Sequence, residues 1–116
     1  YAVVHVNNMP DALVFSAFGP KLLGARVVLD IHDPMPNVFA SKYGSGNAGL
    51  LFKLLLWQER ASAWFADAVL TVSEPVKRHL LVEQHGLEAQ RITVIANFAD
   101  DRLFTFRPPP PPALPV

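Results

Sequence analysis

A histidine followed directly by an aspartate, His32-Asp33, closes an apolar, β-branched run and opens a stretch with two prolines and three glycines. An imidazole beside a carboxylate at such a junction is well placed to meet a ligand, so these two residues are the candidates for catalytic work. Comparable junctions recur along the chain: Asn7-Asn8 follows Val3–Val6, Ser73-Glu74 follows 68–72, and Asn97 follows 92–96. Their amide, hydroxyl and carboxylate groups are the hydrogen-bonding set that a polar substrate needs. Each also has a plainer reading. Asn8 and Ser73 are suitable helix caps, and Glu74 favours the positive end of a helix dipole. His5, inside a strand, reads as a core histidine, and His79 and His85, on a surface helix, carry no assigned role.

Other chemistries are excluded by residue type. There is no cysteine, so disulfides, thiolate catalysis and Cys-based zinc sites drop out. The four histidines show no paired i, i+4 spacing, and no metal site is expected. Neither G-x-G-x-x-G, G-x-x-x-x-G-K-[ST] nor G-x-S-x-G occurs. Gly44–Gly49 is glycine-rich but follows no strand and reads as a flexible loop.

The elements that must position these residues alternate in period. Strands are predicted at 2–6, 26–31, 68–72 and 92–96. A helix follows the first, starting near Asn8-Met9-Pro10-Asp11, kinked or broken at Gly19-Pro20 and closed by Gly24. Residues 32–49 read as a long loop. The strongest helix is 50–65, with Leu51, Leu54, Leu55, Ala61 and Phe65 as its buried face and Lys53, Gln58, Glu59, Arg60 and Ser62 as the polar complement. Ser73-Glu74-Pro75 opens another helix, and Gly86 ends it. Asn97–Phe106 is a polar connection. This alternation predicts an α/β fold, a Rossmann-like parallel sheet of about four strands in sequential order with helices on both faces. In such sheets ligands bind beyond the carboxyl ends of the strands. Every predicted strand delivers polar side chains to that edge, while the opposite edge receives Gly24-Ala25, Asp67 and Leu87–Gln90.

Composition agrees with one small domain. Of 116 residues, 51% are hydrophobic and 17% charged, and ten basic residues balance ten acidic ones. That balance argues against a nucleic-acid partner. Apolar stretches are interrupted by Lys21, Arg26 and Lys53 before a membrane span is reached. Residues 1–107 are expected to be the folding unit and 108–116 a disordered, Pro-rich tail. The chain is expected to be a piece of a longer protein.

Four strings, in order, resemble the N-terminal domain of family 4 glycosyltransferases of the retaining GT-B type: YAVVHVNNMPD, VLDIHDPMPNVFASKYG, Glu59-Arg60 followed by ADAVLTVSE, and ITVIANFADDRLF. The resemblance covers about residues 1–106. It implies two Rossmann-like domains across a cleft, with the acceptor held mainly by the N-terminal one and the donor, a nucleotide-diphosphate sugar, by the other. It implies transfer with retention, without metal or other cofactor. It places His32 near the transferred sugar, with Asp33 beside it as an orienting or loop-capping group. Asn97 falls where the chain approaches the cleft. The position of the strand ends, and not the resemblance, adds Asn7, Asn8, Ser73 and Glu74 as candidate substrate contacts.

Two positions depart from the family pattern. Asn7 replaces the usual His, and Ala96-Asn97-Phe98 replaces Pro-Asn-Gly. The Gly-rich strand-loop and the donor domain have no counterpart in these residues. The chain therefore resembles the second half of an acceptor domain, expected to be inactive alone and prone to self-association through an unpaired first strand. The acceptor class implied is a glycan, a lipid or a small molecule. The expected setting is cytoplasmic, with peripheral contact at the cytoplasmic membrane face left open by the apolar run Leu50–Trp57. The alternative is a stand-alone flavodoxin-like binding module without catalysis.

Overall fold

The computed structural model describes residues 2–43 and 49–97. The Gly-rich run at 44–48, the connection after Asn97 and the Pro-rich segment lie outside the described residues. In chain order come β1 (Val3–Asn7), a 3-10 segment (Asp11–Ala17) continued by α1 (Phe18–Leu22), β2 (Arg26–Ile31), α2 (Met35–Tyr43), α3 (Leu50–Phe65) and β3 (Ala68–Thr71). The helix α4 (Val76–Gln84), a 3-10 turn (Ala89–Arg91) and β4 (Ile92–Val94) complete the fold. The strands form one parallel sheet in the order β1-β2-β3-β4. This is the predicted sequential α/β arrangement of a Rossmann-like partial domain.

The register aligns Val6, Leu29, Val69 and Ile92 across the sheet. With Val27 and Ile31 they meet Val14, Ala17, Ala63 and Leu81 in a buried core. Burial is therefore concentrated on one face of the sheet. On the other face Val28, Asp30 and Leu70 are half-buried and His5 and Thr93 exposed, so the cover expected on both faces is found on one among the described residues. His5 accordingly sits in the open and is not a core histidine.

Proline sets the helix starts. In a continuous α-helix Pro20 would clash with the Ser16 carbonyl. The winding changes from 3-10 to α at Phe18, so Pro20 falls in a first turn, where no N–H is needed. Gly24, at φ 90°, then closes α1, with Ala25 N–H donating to the Pro20 carbonyl and Gly24 N–H to that of Lys21. The predicted loop after His32 contains α2 instead. Pro34 and Pro36 stand at its start, and the Pro34 carbonyl accepts the N–H groups of Asn37 and Val38.

The helix α3 has the predicted bounds but is rotated about its axis, so that of the predicted buried face Leu55, Ala61 and Phe65 are only half-buried. Glu59, Ser62 and Ala63 face inward, whereas Leu51 and Leu54 are exposed. Phe65 is half-buried, edge-on to Phe15 with ring centroids 5.2 Å apart. The cause is a partner absent from any local pattern. His85 is 2% exposed and its Nε2 lies 2.7 Å from Glu59 Oε1. α4 is wound as a π-helix, the His85 N–H donating to the Leu80 carbonyl five residues back. His85 lies four residues after the fully buried Leu81 and shares its inward face. The last turn of α3 is closed by side chains: Lys21 donates to the Phe65 carbonyl and Arg91 to that of Ala66.

Two carboxylates respond to pH in opposite directions. Asp67 Oδ2 accepts the Val27 N–H at 2.8 Å, while Asp67 N–H donates to the Val27 carbonyl, extending the β2–β3 ladder by one step. Lys21 and Arg26 lie 3.2 and 3.5 Å from its oxygens. The Val27 hydrogen bond, then Lys21, hold its pKa below 3.8 against some desolvation. Asp11 is fully buried, with both oxygens outside hydrogen-bond geometry of any partner among the described residues. Burial, then the Glu59 carboxylate, push its pKa up to about 6; the Asn8 amide and His85 oppose the shift and lose.

Asp67→Ala should therefore cost about 1–3 kcal/mol at neutral pH, because it strands a buried N–H. Stability from a depressed carboxylate is present above its unfolded pKa and lost as pH falls through the folded value. Denaturant melts should show the gap between wild type and variant narrowing below about pH 4. Asp11→Asn should do the reverse. A raised carboxylate contributes fully below 3.8 and loses that contribution as pH rises through about 6. The variant should gain on wild type by about 2 kcal/mol between about pH 4 and pH 8 in the same melts.

Candidate functional site

Parallel pairing gathers the four strand ends at one edge. Asn7 is in register with Asp30, and Asp30 with Leu70. The chain leaves β1 through Asn8 and Met9, the latter at φ 75° and followed by a cis bond to Pro10. A left-handed conformation is uncommon for a residue with a Cβ, and is typical of turns held for a purpose.

Asn8 does not cap the 3-10 segment, whose cap position is Pro10. Its side chain instead spans to the β2–α2 junction. Oδ1 accepts the His32 N–H at 3.2 Å, and Nδ2 donates to the Asp33 carbonyl at 2.7 Å. The Asn8 N–H continues the ladder to the Asp30 carbonyl at 2.8 Å. One amide thus fixes the backbone of both His32 and Asp33 relative to β1.

The carboxylate at His32 is that of Asp30, not Asp33. His32 Nδ1 lies 3.0 Å from Asp30 Oδ1, and His5 Nε2 lies 3.5 Å from Oδ2. Asp30 is mostly shielded while both imidazoles are about half exposed. The contact turns Nδ1 toward the carboxylate and leaves Nε2 as the ring nitrogen directed away from it. His32 therefore presents its Nε2 side at the edge, on a ring that lies against the Asp30 carboxylate. Strand periodicity contains this signal: Asp30 and His32 are two apart and share a face, and His5 is in register with Val28 on that face. Reading β2 as an apolar strand hid Asp30.

The other candidates share the edge without joining this cluster. Ser73 acts as a cap, its Oγ accepting the Val76 N–H at 3.4 Å and its carbonyl the Lys77 N–H at 3.1 Å. Glu74 and Asn97 are exposed, and Asn7 is exposed at the end of β1. Ile95 N–H donates to the Thr71 carbonyl, which carries the chain beyond β4 toward Asn97. Among the described residues no group of three or more His, Cys, Asp or Glu has the arrangement to hold a metal ion.

Sequential βα units in one parallel sheet define a Rossmann-like partial domain, a fold in which ligands commonly bind beyond the carboxyl ends of the strands. The sequence matches the glycosyl transferase 4-like domain over residues 1–97, and the chain belongs to that family. No curated protein matches it.

The hydrogen bonds of Asn8 make a direct prediction. Asn8→Ala should speed amide exchange at His32 by about tenfold or more, while Leu29 N–H in mid-strand stays protected. Hydrogen exchange followed by NMR reads both; an unchanged His32 amide would show that Asn8 does not hold the junction.

Proposed function

We propose that this chain supplies part of the acceptor side of the cleft in a retaining, GT-B-type glycosyltransferase. The reaction is transfer of a sugar from a nucleotide-diphosphate sugar to a glycan, lipid or small-molecule acceptor, in the cytoplasm and without a metal. Family membership supports the transferase class. The observation that carries the site is the His32 imidazole, oriented by Asp30 at 3.0 Å and seated on a backbone held by Asn8.

In this reading His32 Nε2 contacts the transferred sugar and accepts a hydrogen bond from a hydroxyl. Asp30 and Asn8 are positioning residues, acting through His32. Asp33 shares the junction, its carbonyl occupied by Asn8. Asn7, Ser73, Glu74 and Asn97 extend the edge along which an acceptor would lie.

In the full-length enzyme His32→Ala should lower turnover by about tenfold or more, which corresponds to roughly 1.4 kcal/mol of transition-state stabilisation. Asp30→Asn should lower it less, and should add nothing in the His32→Ala background, because its effect passes through the imidazole. Steady-state kinetics of the two single variants and the double variant decide the matter. Normal turnover in a folded His32→Ala enzyme removes His32 from the reaction, and additive losses remove Asp30 from its positioning role.

A further inference from the structure

With Glu59, Ser62 and Ala63 turned inward, α3 exposes what an ordinary amphipathic helix would bury. Leu50, Leu54, Trp57 and Trp64 form a stripe at helical spacing, with Trp57 68% and Trp64 50% exposed. The only charges that α3 presents outward are Lys53 and Arg60, both cationic. Arg60 stands three residues after Trp57 and four before Trp64, so it shares their face. A shallow cleft of about 300 Å³ is lined by Trp57, Arg60, Ala61 and Trp64. A second, of about 250 Å³, opens between Trp57, Arg60 and Gln84. A further cation is close by, the Arg91 guanidinium lying 6.0 Å from the Trp64 ring centroid. The Trp64 indole N–H is fixed by the His85 carbonyl at 3.0 Å.

We propose that this face of α3 docks on a bilayer containing anionic phospholipid, with the helix lying in the interfacial plane. Leucines and tryptophans beside cations, with no outward acidic residue on the helix, are the chemistry of interfacial binding: indoles seat at headgroup depth and guanidinium groups meet phosphate. A spanning role does not fit. Among the described residues no helix is long and apolar enough to cross a membrane, and the other side of α3 is packed in the core. A second copy is a poorer occupant, because pairing two such stripes sets Lys53 and Arg60 against the same cations with no carboxylate between them. The surface lies on the helical layer and not at the carboxyl edge, so the proposal stands apart from the transferase reading.

Flotation of the full-length protein with vesicles tests it, using phosphatidylcholine alone or mixed with phosphatidylglycerol. Binding should require phosphatidylglycerol, fall in high salt, and shift tryptophan emission to the blue. Arg60→Gln should weaken it about fivefold, and Trp57→Ser about tenfold or more. The wild-type salt response gives an answer even if a variant fails to fold. The proposal is overturned by absence of flotation, or by equal binding to both vesicle types. It is equally overturned if Trp57 is already shielded from iodide quenching without vesicles, because another part of the protein or a second copy would then own the stripe.

Discussion

The hydrogen-bonded pair Glu59–His85 governs how the helical layer is built. At 2.7 Å and almost wholly buried, it joins α3 to the end of α4. An ionised carboxylate is very costly to bury alone, and far less so opposite an imidazole that can donate to it. Once Glu59 is committed to the interior, α3 has one permitted rotation. Small Ser62 and Ala63 follow it inward and allow the 3-10 segment to approach closely. The leucines and tryptophans are then forced outward. The exposed stripe is therefore a consequence of a buried polar contact and not a failure of the core to form.

What was legible in the sequence follows from what is local. Valine and isoleucine runs announced the strands, and helix-length connections between them imposed parallel pairing in sequential order. Gly24 and Gly86 announced helix ends because only a residue without a Cβ adopts φ near 90° or 73° readily. The errors came mainly where a distant residue decided the outcome. The rotation of α3 depended on His85, whose place four residues after the buried Leu81 marks an inward position that reading α4 as a surface helix passed over. The prolines of α2 look like loop residues in isolation, yet they suit a first turn. Asp67 looked like turn material, and its acceptor role appears only once β2 is beside it.

The candidate site shows the same division. The strand ends that carry Asn7, Asn8, His32, Asp33, Ser73, Glu74 and Asn97 could be located from periodicity, because a parallel sheet sends all carboxyl ends to one side. Which side chains meet there could not. Asn8 spans to the next strand's loop, and the carboxylate beside His32 comes from two residues earlier. Adjacency in sequence favoured Asp33, but neighbouring residues in extended chain point to opposite faces, so the residue two back is the one positioned to meet the ring.

Asp30 can hold two imidazoles because the sheet face it occupies is only partly covered. Fully buried, it would need two good partners or a proton. Left partly hydrated, it tolerates a close contact with His32 and a long one with His5. Asp11 occupies the opposite situation, only three residues beyond Asn8. It lies in the closed interior near Glu59, where burial and like charge favour its neutral form. The turn that carries Asn8 thus links a carboxylate with some solvent access on one side of the sheet to a fully buried one on the other. The first lies against the His32 ring, while the second, its pKa raised by burial and by Glu59, sheds its charge readily and spares the helical layer an unpaired anion. The edge can be polar and reactive because the polarity is kept on the hydrated side, and the interior has given up as much of its charge as Glu59 and His85 do not require.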